Sequence, residues 1–176
     1  MAKLFSKKKF FLGVIILLLL GFLFPENFKM PVDGANMGDY NQKSFWFYPW
    51  GKSITHKGVD VFAKTGTRLN SSTNGMVLYA GEIQVGGKVV VVLGPKWRLH
   101  YYAHLDEIDT HALSIVGSST QIGRVGSSGN AAGKPPHLHY SIMTPLPHFW
   151  KMDDDHQGWR KMFYVDPTPL LNKCFE

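Results

Sequence analysis

Cysteine is almost absent from this chain: Cys174, close to the C-terminus, is the single one in 176 residues. One thiol cannot close an intramolecular disulfide, and it makes a thiolate zinc site implausible. The chain has no internal repeat and no low-complexity tract beyond its N-terminal segment. Between residues 56 and 140 no segment carries a convincing 3.6-residue apolar period, so little helix is expected there. The helical metalloprotease motif His-Glu-x-x-His is missing as well, which excludes a design with two ligands on one helix turn. Acidic residues are absent from the first nine positions. The formal charge of +6 therefore misleads: Lys3, Lys7, Lys8 and Lys9 supply four of it, and the remainder carries only +2. A basic stripe for nucleic acid is not supported, and no nucleic-acid partner is expected. Mild attraction to an anionic polymer stays open.

What is present begins with that lysine cluster, followed by an apolar run from Phe10 to Phe24. As a helix the run reaches about 22 Å, short of the ~30 Å hydrocarbon core of a bilayer. No good small-x-small cleavage site follows; Leu19-Leu20-Gly21 is the nearest. Residues 1–24 are thus expected to be an uncleaved signal anchor, with a cleaved signal peptide as the alternative. Snorkelling lysines and local bilayer thinning would cover the missing length. Membrane contact through residues 10–24 places the domain in the periplasm or cell envelope, anchored to the inner membrane, with the lysines on the cytoplasmic side.

Residues 25–39, rich in Pro, Gly, Asn and Asp, read as a linker, 40–171 as one domain, and 172–176 as a tail. The cluster Phe45-Trp46-Phe47-Tyr48-Pro49-Trp50 is either core beneath the first strands or the wall of a substrate groove. From there the pattern is β. Gly58–Phe62 is a short strand, Gly75–Gly81 a strand bounded by glycines, and Gly86-Gly87 a turn before Lys88–Leu93. Arg98–Leu105 is its paired strand. The fold expected is mostly β: a single domain of antiparallel twisted sheets with a groove holding a metal, preceded by an N-terminal apolar helix. Pro145–Tyr164 reads as a loop-rich insertion, and its run Asp153-Asp154-Asp155-His156 as a solvated loop, since the spacing matches no calcium loop.

Two histidine motifs carry the chemistry. His56-Lys-Gly-Val-Asp60 is a His-x-x-x-Asp pair and His137-Leu-His139 a His-x-His pair. Together they offer imidazole and carboxylate ligands of the kind that hold a catalytic zinc with one position open. In an extended strand residues i and i+2 face the same way, so His137 and His139 would share a face with Leu138 in the core. By the same rule His100, Tyr102 and His104 would share a face, with His104 at the strand end. Gly58 would ease the loop that brings His56 and Asp60 together.

Those motifs, Tyr102-Ala-His104-Leu105, and the run Gly126-Ser-Ser-Gly-Asn-Ala-Ala-Gly-Lys-Pro-Pro-His-Leu-His-Tyr140 closely resemble the lysostaphin/LytM-type zinc metalloendopeptidases. Val165-Asp166-Pro167 followed by Leu170-Leu171 resembles the close of that family's domain, so the likeness runs from roughly Pro31 to Leu171. The aromatic segment before His56 and the insertion after Met143 depart from the pattern. The resemblance implies a peptide-bond hydrolase acting on the cross-links of bacterial cell-wall peptidoglycan. It implies Zn2+ held by His56, Asp60 and His139, with His104 and His137 as the catalytic pair that handles protons. Which of the two is the general base is left open, as is a supporting role for Tyr102 and a regulatory protein partner. Two other readings are weighed: a non-enzymatic regulator on the same fold, and a peptidoglycan-binding module. The first typically lacks the zinc ligands that are complete here; the second has no use for His104 and His137.

Overall fold

The computed structural model describes residues 7–176; the opening residues, Lys3 among them, lie outside the described part. Helix α1 (Lys7–Leu23) is apolar on every side beyond its lysines and exposed along nearly its whole length. Among the described residues no helix is long and apolar enough to cross a membrane. Helix α1 meets the domain at Trp97. The Trp97 indole donates to the Leu18 carbonyl at 2.9 Å, and Gly21 lies against the same ring, where any larger side chain would collide with it.

The domain is a nine-stranded antiparallel sheet. Its strands are β1 (Val59–Phe62), β2 (Arg68–Asn70), β3 (Gly75–Ile83), β4 (Gly87–Leu93), β5 (Leu99–Ile108), β6 (Ile115–Val116), β7 (Gln121–Val125), β8 (His137–Met143) and β9 (Tyr164–Val165). The main path runs β1-β8-β5-β4-β3-β6; β2 joins through β7 to β5, and β9 flanks β8. Among the described residues helix is confined to α1, the short α2 (Thr168–Asn172) and short 3-10 segments. The expected strands near 58–62, 75–81, 88–93 and 98–105 all form; the short β2, β6, β7 and β9 were not marked by sequence. β2, β6 and β9 are two or three residues long, too short for alternation to register, and Gly123 interrupts the five residues of β7.

The core lies on one face of this sheet. Val59 and Val61 of β1, Leu138, Tyr140 and Ile142 of β8, Tyr102 and Leu105 of β5, and Val90 and Val92 of β4 are all buried within it. Each aliphatic or aromatic side chain buried here contributes roughly 1.5–3 kcal/mol relative to exposure. A polar knot sits inside. Ser72 Oγ meets the hydroxyls of Tyr102 (2.6 Å) and Tyr140 (2.7 Å), and Tyr140 in turn meets His100 Nδ1 at 2.6 Å. Burial holds His100 near a pKa of about 4, so it is neutral, and Tyr102 is a packed strand aromatic outside the groove.

Residues 25–39 are not a free spacer. The Lys29 amide donates to Ser72 O at 2.9 Å, the Asn70 amide to Pro31 O at 2.8 Å, and Val32 is buried beside Leu69. Asn36 and Asp39 close a reciprocal capping box. Pro, Asn and Asp are the residues of ordered turns as well as of linkers, and composition alone does not separate the two. Nearer α1, the Glu26 carboxylate is held by Arg98 (2.7 Å) and Lys96 (3.0 Å). Cys174 is a half-buried free thiol.

Candidate metal centre and groove

Strand register builds the site. Across β1, β8 and β5, Asp60 stands opposite His139 and His139 opposite Ala103. Directly opposed residues of antiparallel strands point to one face. Asp60, His137, His139, Ser141, Tyr101 and Ala103 therefore all face away from the core, while Val59, Leu138, Tyr140 and Tyr102 face into it. The His-x-His expectation holds: both imidazoles line the groove and Leu138 is buried.

His56 arrives from the loop before β1. Its strand entry works because Gly58 has no side chain: a Cβ there would lie 2.6 Å from Ser141 Oγ and press on the Tyr140 backbone. The result is a tight cluster. His56 Nε2 lies 3.0 Å from Asp60 Oδ1 and 3.1 Å from His139 Nδ1, and Asp60 Oδ1 lies 2.8 Å from His139 Nδ1.

The protons on these rings follow from their outer partners. A backbone carbonyl can only accept, so His56 Nδ1, 3.0 Å from Ser44 O, carries the ring proton and leaves Nε2 bare. Ser141 Oγ donates to Lys57 O at 2.6 Å. Its lone pair is then free to accept from His139 Nε2 at 3.2 Å, which leaves His139 Nδ1 bare. Burial disfavours a charge on His139, so its neutral form prevails. Three lone pairs thus converge with no proton left to share among them, which fits a bound cation. The ligand atoms of a tetrahedral zinc with ~2.0–2.1 Å bonds stand roughly 3.3 Å apart. The spacings of 2.8–3.1 Å here are close to that, and His56, Asp60 and His139 form the metal-competent group among the described residues.

His104 and His137 stand beside the cluster, their rings 5.1 Å apart and at 63° to each other. His137 Nδ1 donates to Pro135 O at 2.8 Å and His104 Nδ1 to Ser128 O at 2.9 Å, so each presents a bare Nε2. Burial, with the neighbouring His139 and His137, pulls the His104 pKa down to about 4. The route by which His104 reaches the groove corrects the sequence reading. It does not share a face with His100 and Tyr102, and it lies inside β5, not at its end. The ladder to β4 slips there, and His104 has φ +67°. This bulge turns its side chain from the core face, where alternation would put it, onto the groove face next to Ala103.

The groove encloses about 720 Å³. The aromatic cluster splits between the two expectations. Trp46 is buried, edge-on to Tyr164, with its indole donating to His156 O at 3.1 Å. Trp50 lines the groove, stacked on His56 at 4.1 Å and 28°. Tyr101, Ser141, Gln157, Arg160 and Tyr164 also line it and were not singled out by sequence. Ser141 lies two residues along β8 from His139, so alternation could have found it; alternation from His104 points to Tyr102 instead of Tyr101, because the bulge at His104 reverses the face. The other three come from the segment after Met143, whose course no local pattern reveals. Asp153 and Asp155 in that segment grip Lys161, as a solvated loop would.

An antiparallel sheet holding two imidazoles and a carboxylate at one end of a groove, with two further bare imidazoles beside them, defines a metallopeptidase-type site. The chain belongs to peptidase family M23, whose sequence profile matches residues 54–153. It is 35% identical over 113 residues to the L-Ala–D-Glu endopeptidase of Bacillus subtilis (strain 168), covering 59% of this chain and 35% of that protein. It is 30% identical over 108 residues to the glycyl-glycine endopeptidase ALE-1 of Staphylococcus capitis, covering 58% and 29%. The chain thus spans about a third of the length of these curated relatives. The catalytic domain of lysostaphin from Staphylococcus simulans shares the fold, with a TM-score of 0.59 at 24% identity over 76% of this chain and 91% of that one.

Proposed function

We propose that this chain is a zinc-dependent endopeptidase that hydrolyses peptide cross-links of bacterial cell-wall peptidoglycan. The observation that carries the reading is the pairing of a three-ligand cluster with two non-ligand histidines whose bare Nε2 atoms face the same groove. His56, Asp60 and His139 are the ligands. They would hold zinc, which would supply a Lewis acid for the scissile carbonyl and for activating water. His104 and His137 act on protons: a bare Nε2 accepts one from the attacking water and returns it to the leaving amine. The partner imidazole, when protonated, donates to the oxygen on which negative charge develops. Backbone carbonyls of Ser128 and Pro135 hold both rings in the tautomer this requires. Trp50, Tyr101 and Tyr164 wall the groove and give an extended peptide an apolar bed.

The same reading places the domain outside the cytoplasm, tethered to the inner membrane through residues 10–24. Support comes from the exposed apolar α1 preceded by lysines. Fractionation with N-terminal sequencing tests this, and a soluble form starting near Phe22 would replace the anchor by a cleaved signal. For the activity, purified protein is incubated with wall sacculi and the released muropeptides are analysed by mass spectrometry. New peptide termini that vanish with chelation and return with zinc are expected; intact sacculi would refute the hydrolase.

A further inference from the structure

The lining of the groove is unbalanced in charge. Lys52, Lys57, Lys134 and Arg160 contribute four cations, and Asp60 is the single carboxylate. Asp60 belongs to the metal-competent cluster with His56 and His139. From residue 10 onward the chain has 15 basic and 13 acidic residues. The groove takes four of the former and one of the latter, which leaves the rest of that stretch one charge negative. The positive surplus of that stretch therefore lies in the groove.

None of these four cations has a carboxylate partner among the described residues. Lys57 Nζ donates to Ser53 O (2.9 Å) and Thr55 Oγ1 (3.0 Å), neutral acceptors that fix the ammonium without cancelling its charge. Arg160 rests over the Trp159 ring at 5.1 Å. The neighbouring acids Asp153 and Asp155 are spent on Lys161. Lys52 and Arg160 are exposed at the rim, and Lys134 stands on the loop that enters β8.

We propose that the groove selects acidic peptides, with Lys52, Lys57, Lys134 and Arg160 as the residues that set this specificity. The inference rests on the endopeptidase reading and narrows its substrate to stem peptides with free carboxylates. A groove lined by one sign of charge concentrates ligands of the other, and like charges brought together without a counter-ion are unfavourable. A carboxylate-bearing peptide relieves that repulsion. A neutral glycine chain gains nothing from the four charges.

The test uses the zinc-loaded full chain and three probes: an L-alanyl-D-glutamyl peptide with free carboxylates, the same peptide with its carboxylates amidated, and pentaglycine. Where a probe is cut, kcat/KM is compared; where it is bound uncut, Kd from calorimetry is compared. The acidic peptide should lead its amide by about 10-fold at about 20 mM salt, narrowing to about 2-fold near 0.5 M as screening sets in. The double variant K52E/R160E should bring the low-salt lead below about 3-fold. A lead under about 2-fold at low salt, a lead indifferent to salt, or a preference for pentaglycine would each overturn the proposal. The wild-type salt series decides the matter even if the double variant does not fold. Sacculus digestion is read separately. Salt-sensitive acidic binding without released muropeptides keeps the charge selection and removes the hydrolase; the reverse pattern does the opposite.

Discussion

Ser141→Ala removes one hydroxyl and leaves all three metal ligands in place, so it isolates the orientation of His139. Ser141 Oγ donates to Lys57 O at 2.6 Å and accepts from His139 Nε2 at 3.2 Å. Without it, Nε2 loses its partner, the ring is free to carry its proton on Nδ1, and the lone pair aimed at His56 and Asp60 is lost in that tautomer. The Lys57 contact is lost with or without metal and cancels in the zinc Kd, which leaves the His139 hydrogen bond, worth about 0.5–1.5 kcal/mol net. Outer partners of metal-bound histidines typically change affinity by about 10- to 100-fold, or roughly 1.4–2.8 kcal/mol, and the two ranges meet near a tenfold loss. Zinc Kd measured by competition with a chelator of known affinity reads this directly, with thermal unfolding of the metal-free protein as the control. The metal-free variant should lose only the Lys57 carbonyl contact, about 1 kcal/mol. Zinc Kd within twofold of wild type, in a variant that remains folded, would refute the idea that Ser141 holds the His139 tautomer.

Three further outcomes follow from the same geometry. His139→Ala should lose stoichiometric zinc by metal analysis, because only two ligands remain; full retention would sink the ligand assignment. His104→Ala and His137→Ala should keep zinc and the fold yet lose about 10²-fold or more of wall-cleaving activity, the scale of a positioned acid or base. Near wild-type digestion by either variant would remove that residue from proton transfer. Acid should destabilise the metal-free chain, and two of the contributing groups, His100 and Glu26, lie outside the site. His100 is neutral in the fold, with its pKa lowered by burial from 6.5 to about 4. Its contribution is therefore complete above pH 6.5 and declines as pH falls toward 4, by roughly 3 kcal/mol in all at 1.36 kcal/mol per unit. Burial raises the Glu26 pKa, but Arg98 and Lys96 outweigh it and bring it below 4.5. Its contribution holds above pH 4.5 and is lost below that. Urea titrations from pH 7.5 to about 4 would show the fall, and His100→Gln should flatten its upper part; an unchanged slope would show that His100 does not titrate as described.

Much of the site was legible before any coordinates. His137 and His139 flank a leucine, and a two-residue period sends one way what leucine cannot follow. His56 and Asp60 are separated by a loop with a glycine where a side chain would collide with β8. These relations are local: they follow from bond geometry over a few residues, and sequence alone settles them. The low helix content and the strands β1, β3, β4 and β5 were legible for the same reason.

What required the tertiary structure is everything that depends on which strand lies beside which. Register sets Asp60 against His139 and His139 against Ala103, and that alignment is decided by the packing of Val59, Leu138 and Tyr102 beneath it. The bulge at His104 reverses the face that alternation assigns, because the long-range ladder to β4 slips by one residue there. The stretch 25–39 has the composition of a linker and becomes part of the fold because Ser72 and Leu69 offer it backbone partners and a buried seat. Lys52 and Arg160 lie 108 positions apart and line one groove. Net charge is a sum over residues and can be read from sequence; where that charge gathers is a property of distance, and only the folded chain fixes distances.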